Sequence, residues 1–232
     1  MIATSKLPGK GAQFAGASKT NTSWLVPLER RLAPLVLPRI PAWLETYHLT
    51  CLTLLWCAGI VFFSWLAASD LRWLWMVSVM IALQYLTDHF DGKIGKYRDT
   101  GLVKWGFYMD HLLDYAFLCS VLIGYTMILP EGSRSRMLPV LAVFGAFMVN
   151  SFLSFSITSD FKISYLKFGP TEFRLALIII NALIILFGTR PLAKALPYVA
   201  VGGLLFLCLL VYRTQKKIWE IDMEHKRLTS DA

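Results

Sequence analysis

The chain has 232 residues, a formal charge of +8 and a composition that is 56% hydrophobic, 14% aromatic and only 16% charged. A mean hydropathy of +0.55 excludes an ordinary soluble domain of this length and marks an integral membrane protein. The positive charge implies no nucleic-acid partner, because basic loops beside anionic lipid produce the same excess.

In chain order, residues 1–23 are rich in Gly, Ser, Thr and Lys, lack the apolar core of a secretory signal and are expected to be disordered. Over 24–45, Leu25, Leu28, Leu32, Leu35 and Val36 recur at helical spacing opposite Glu29, Arg30 and Arg31. Pro27 stands near the start of that run, and Pro34, Pro38 and Pro41 limit its length. The pattern predicts an amphipathic helix lying on the cytoplasmic leaflet, with an irregular proline-rich linker as the alternative. Six apolar stretches follow, at 49–68, 71–91, 102–129, 137–157, 173–187 and 196–212. Most approach the ~20 residues that cross ~30 Å of hydrocarbon. The expected architecture is an all-α integral membrane protein: six transmembrane helices within a domain over 46–214, preceded by the amphipathic helix and followed by a cytoplasmic tail over 215–232.

An even number of spans puts both termini on one side of the membrane. Basic residues gather in the N-terminal arm (Lys6, Lys10, Lys19, Arg30, Arg31, Arg39), the second connection (Lys93, Lys96, Arg98, Lys104), the fourth (Lys162, Lys167, Arg174) and the tail (Arg213, Lys216, Lys217, Lys226, Arg227). Only Arg72, Arg134, Arg136, Arg190 and Lys194 fall on the other side, so both termini are expected to be cytoplasmic. Cys51, Cys57, Cys119 and Cys208 sit singly in apolar stretches and read as small buried hydrophobes.

Four aspartates interrupt this apolar background. Asp88 and Asp91 lie three apart at the cytoplasmic end of the second stretch; Asp110 and Asp114 lie four apart in the first turns of the third. Each pair projects from one helix face. A carboxylate inside a bilayer costs roughly 2.5–3.5 kcal/mol on insertion scales, so the four need partners. The second and third spans are expected to be antiparallel and joined by a short cytoplasmic loop, so that all four can converge in an oxygen-rich pocket suited to hard cations, Mg²⁺ or Mn²⁺, with Ca²⁺ able to compete. Two such ions are a common device for displacement at phosphorus, which implies a pyrophosphate-bearing substrate. The bland alternative, a hairpin turn with surface charges, accounts for Asp88, Asp91 and Gly92 but not for Asp110 and Asp114.

The run Asp88-x-x-Asp91-Gly92-x-x-Gly95-Lys96, nine residues, Gly106-x-x-x-Asp110-x-x-x-Asp114 resembles the signature of the CDP-alcohol phosphotransferases. It departs from that signature at Gly95, usually Ala, and at Lys96, usually Arg. The resemblance implies a six-helix enzyme, commonly a homodimer, in the cell (inner) membrane with its active site on the cytoplasmic side. Such an enzyme transfers a substituted phosphoryl group from a CDP-linked donor to an alcohol hydroxyl and releases CMP, at least one substrate being a lipid. It further implies that Asp88, Asp91, Asp110 and Asp114 hold metal and that Asp114 is the catalytic base. Asp88, Gly92, Gly95, Lys96 and Gly106 would contact CDP, joined by Thr50, which matches a threonine at the family's entry to the first span. Lys for Arg loses the planar fork, so Arg98 is a candidate to take over the phosphate contact.

In Gly169-Pro170-Thr171-Glu172-x-Arg174 the capping residues Thr171 and Glu172 suit a helix start, while Arg174, one turn in, is a candidate for an acceptor phosphate. His89 and His111 follow motif aspartates directly and are expected to point off the metal face. Two other classes compete: an intramembrane prenyltransferase, which normally has two aspartate motifs and more spans, and a cation transporter, which the one-sided placement of the acids disfavours.

Overall fold

The computed structural model describes residues 18–20, 39–41, 43–98, 102–158, 160–162 and 169–230. Six helices account for nearly all of them: α1 (Thr46–Ala67), α2 (Leu74–Arg98), α3 (Val103–Ile128), α4 (Met137–Thr158), α5 (Pro170–Phe187) and α6 (Arg190–Ser230). A 3-10 turn, Leu71–Trp73, leads into α2, and a single helical turn, Glu131–Arg134, joins α3 to α4. Two three-residue strands, β1 (Ser18–Thr20) and β2 (Asp160–Lys162), pair in parallel, Ser18 opposite Asp160. The arm expected to be disordered thus contributes a strand; a pairing this short, between distant polar segments, leaves no periodic signal in sequence.

Each expected apolar stretch corresponds to one helix, but only five of the six, all except α2, are long and apolar enough to cross a membrane. At 25 residues α2 has the length. Its second half carries Asp88, Asp91, Lys93, Lys96 and Arg98, so the residues of interest are themselves what lowers its hydropathy. Gly92 and Gly95, expected in the connection beyond the second span, lie inside α2, which continues to Arg98. Of the expected amphipathic segment over 24–45, residues 24–38 and 42 lie outside the described residues.

The core is built around α1, which packs along both α2 and α3, whereas α2 and α3 meet each other only sparingly. Ile60 of α1 and Leu74 and Ile81 of α2 are completely buried. Gly124 of α3 permits the close approach of α1, since a Cβ there would stand 2.9 Å from the Ser64 Cβ. α5 packs on α2, and α4 on α6. A buried polar chain ties three helices together: Tyr125 OH of α3 donates to Asn181 Oδ1 of α5 (2.9 Å), and Asn181 Nδ2 donates to Ser78 Oγ of α2 (3.0 Å). Asn181 has no exposed surface, so this chain satisfies polar groups that hydrocarbon could not. On the outside, Leu54, Leu55, Phe62, Trp65, Leu186, Leu205 and other large apolar side chains are exposed, as expected of a surface solvated by lipid tails.

Two helix irregularities have visible compensation. Pro197 lies inside α6 and has no N–H for the carbonyl four residues earlier, that of Ala193; Arg136 Nη1 donates to that oxygen instead, at 3.1 Å. Pro170 occupies the first turn of α5, where a missing N–H costs nothing. In the turn before α2, Asp70 accepts from the Arg72 N–H and side chain, and that hydrogen bonding holds its carboxyl below the usual carboxylate range.

Candidate active site

Asp88 and Asp91 occupy neighbouring turns of α2, and Asp110 and Asp114 neighbouring turns of α3. α1 packs against both helices, which meet each other only sparingly. α5 bridges the gap. Arg174, 4% exposed, sends one terminal nitrogen to Asp88 Oδ2 at 3.0 Å and to Asp114 Oδ1 at 3.1 Å. Its Nε donates to Gln84 Oε1 at 2.6 Å, and the guanidinium lies 5.4 Å from the centre of the Phe117 ring. A buried guanidinium with two carboxylates and an amide is a satisfied arrangement; without them its burial would cost several kcal/mol.

Asp91, the most buried of the four at 9% exposure, is held from α1. The Thr50 hydroxyl lies 3.1 Å from Asp91 Oδ2 and 3.0 Å from the Thr46 carbonyl, so its single proton is shared between two acceptors. The Thr46 hydroxyl, one turn earlier, is buried and has no partner among the described residues. Asp110 keeps a partly exposed carboxylate whose Oδ2 is 3.6 Å from His111 Nδ1; that ring nitrogen donates to the Phe107 carbonyl at 2.7 Å. His89 turns to Lys93, one turn along α2. Both histidines therefore bond locally along their own helices.

The cationic candidates separate sharply. Lys96 is exposed. Arg98 is committed elsewhere: it donates to the carbonyls of Leu44 (2.7 Å), Pro41 (2.9 Å) and Ile40 (3.1 Å), stapling the end of α2 to the segment that enters α1. These bonds make it a structural clamp. At the start of α5 the N-cap is Gly169, with Thr171 inside the first turn; Glu172 supplies the side-chain cap, accepting from the Gly169 N–H at 2.9 Å.

Among the described residues, no three His, Cys, Asp or Glu side chains gather as a ligand set for a metal ion. The Arg174 guanidinium stands between Asp88 and Asp114. The donor set nevertheless fits a hard cation, being all oxygen and anionic. Space is available too: a Cβ on Gly92 or Gly106 would meet nothing within 4 Å. An apolar groove of about 520 Å³ between α1 and α3 is lined by Cys57, Ala58, Val61, Phe62, Trp65, Ser120 and Met127.

Gln84 is the site residue that sequence reasoning missed. Its signal was its position, one turn before Asp88 and two before Asp91 on the same face of α2, inside an otherwise apolar stretch.

No curated protein matches the chain at a significant level. The family profile described as CDP-alcohol phosphatidyltransferase matches residues 48–210, a range that contains the four aspartates, Thr50, Gln84 and Arg174. The chain is a multi-pass membrane protein that belongs to the CDP-alcohol phosphatidyltransferase family, whose members transfer phosphate-linked groups from CDP-alcohols in phospholipid synthesis and generally use divalent metal ions.

Proposed function

We propose that this protein is a divalent-cation-dependent transferase that moves a substituted phosphoryl group from a CDP-linked donor, CDP-diacylglycerol or a CDP-aminoalcohol, to an alcohol hydroxyl and releases CMP. The observation that carries this reading is the Arg174 bridge, which puts a carboxylate of α2 and one of α3 against the same nitrogen. Both motif pairs thereby border one region, as attack on a pyrophosphate requires.

In this reading Asp88, Asp91, Asp110 and Asp114 hold Mg²⁺ or Mn²⁺, two ions being the number that suits four carboxylates. Bound there, the cations neutralise charge on the donor pyrophosphate and lower the pKa of the acceptor hydroxyl. Asp114 accepts the hydroxyl proton. Its side chain is 34% exposed against 23% for Asp88, which supports access by an acceptor. Thr50 fixes Asp91 and borders the nucleotide. Gly92, Gly95 and Gly106 keep the approach free of side chains, and Lys96, exposed at the end of α2, meets the donor phosphates as a point charge. Arg174 lies close enough to Asp114 to meet an acceptor phosphate once the carboxylates are otherwise engaged. Six helices, α2 included, cross the cell (inner) membrane with both termini and the site cytoplasmic, and the protein acts as a homodimer.

Purified protein supplied with each donor class and candidate acceptors should release CMP only when donor, acceptor and divalent cation are all present. Cation flux across proteoliposomes without CMP release from any donor would instead place the chain among transporters.

A further inference from the structure

The guanidinium of Arg174 occupies a position that geometry makes consequential. α1 holds α2 and α3 apart, yet Asp88 and Asp114 each lie within hydrogen-bond distance of one Arg174 nitrogen. Two carboxylate oxygens that share one nitrogen stand no more than roughly 6 Å apart, close enough for each to disfavour the other's charge. That repulsion needs a compensating charge before any ligand arrives, and Arg174 of α5 supplies one to both partners at once. The guanidinium cannot swing freely: Gln84, 1% exposed, takes its Nε, and the Phe117 ring lies against it. Gln84 is neutral and acceptor-capable, so it fixes the orientation of the fork without drawing charge away from the aspartates.

We infer that Arg174 is a built-in counter-cation of the site, positioned by Gln84, which assembles Asp88 and Asp114 across the gap between α2 and α3 and competes with a divalent ion for those two carboxylates. The inference rests on the metal reading of the proposed function and adds the residue pair that sets how tightly metal is held. Gln84 is thus a positioning residue that acts through Arg174. The arrangement has two consequences. The site keeps its shape without metal, and metal binds less tightly than four uncompensated carboxylates would allow, because the guanidinium must release at least one of its partners.

Mn²⁺ titration of the purified full chain, followed by electron paramagnetic resonance without donor or acceptor, reads this directly. Arg174→Gln removes the competing charge and should tighten Mn²⁺ binding roughly tenfold or more, since one unit charge near two ligands is lost. Arg174→Lys keeps the charge and should stay within about threefold of wild type. Gln84→Met keeps the volume and the arginine but frees Nε, and should tighten binding by a few fold. If Arg174→Gln does not fold, Gln84→Met and Arg174→Lys carry the test between them. Wild-type protein that binds Mn²⁺ saturably, with affinity unchanged or weakened in Arg174→Gln or, failing that, in Gln84→Met, overturns the inference alone. Wild-type protein with no saturable Mn²⁺ binding overturns the metal reading beneath it.

Discussion

Thr50 of α1 and Asp91 of α2 share a buried hydrogen bond, Oγ1 to Oδ2 at 3.1 Å, which couples the first helix to the most enclosed carboxylate of the site. Thr50→Val keeps the shape and removes the hydroxyl, leaving the Asp91 oxygen less satisfied, a change worth ~1–3 kcal/mol when a charged group is involved. Thermal unfolding in detergent should show that loss, and the donor KM should rise several-fold. Thr50→Ser should restore both. Wild-type donor kinetics in Thr50→Val would remove Thr50 from the nucleotide side of the site.

Arg98 gives the opposite expectation to that of a phosphate ligand. Its three carbonyl partners, Ile40, Pro41 and Leu44, all precede α1, so Arg98→Gln should loosen that entry segment. Faster limited proteolysis near residues 40–45 and a stability loss of ~1–2 kcal/mol are expected, with the donor KM little changed at permissive temperature. A large, isolated rise in donor KM would instead return Arg98 to the donor pocket.

The pairing of Arg136 with the carbonyl that Pro197 leaves open can be isolated in a double-mutant cycle. Arg136→Ala should cost ~0.5–1.5 kcal/mol in the wild-type background and much less in Pro197→Ala, where the residue 197 N–H can reach Ala193 itself. Equal costs in both backgrounds would show that Arg136 is not compensating for the proline.

Asp114 is distinguished from the other three aspartates by its proposed role in proton removal. Asp114→Asn should lower kcat by ~10² or more while retaining part of the nucleotide affinity, whereas Asp91→Asn or Asp110→Asn should weaken metal and nucleotide binding together. Titrating nucleotide by calorimetry beside the kinetics separates the two. Near-normal kcat in Asp114→Asn with metal bound would move the base elsewhere.

The positions of the helices were legible because a long apolar run must satisfy its own backbone in hydrocarbon, which a helix does within the segment. The helix ends were not legible. α2 runs through Gly92 and Gly95 to Arg98 because tertiary contacts, Arg98 on the entry carbonyls among them, outweigh the ~1 kcal/mol that a glycine costs a helix. α6 continues to Ser230 through polar sequence read only as a tail, with Lys216 and Glu220 paired one turn apart. The aspartates were legible because acids are rare in hydrocarbon, and Thr50 because of its place in a motif. Arg174 was seen as a cation, but its partners were not, since they depend on α1 holding α2 and α3 apart. Gln84 looked like one polar residue in an apolar stretch until α5 was packed against it.

In the proposed reaction the four aspartates serve a divalent cation on which phosphoryl transfer depends. CMP release by purified protein, first stripped with EDTA and then titrated with Mg²⁺ or Mn²⁺ beside the Asp110→Asn variant, tests it most directly. Stripped wild type should show no turnover, added cation should restore it, and Asp110→Asn should lose that recovery. Full CMP release without cation, or cation-restored release undiminished in Asp110→Asn, would contradict it.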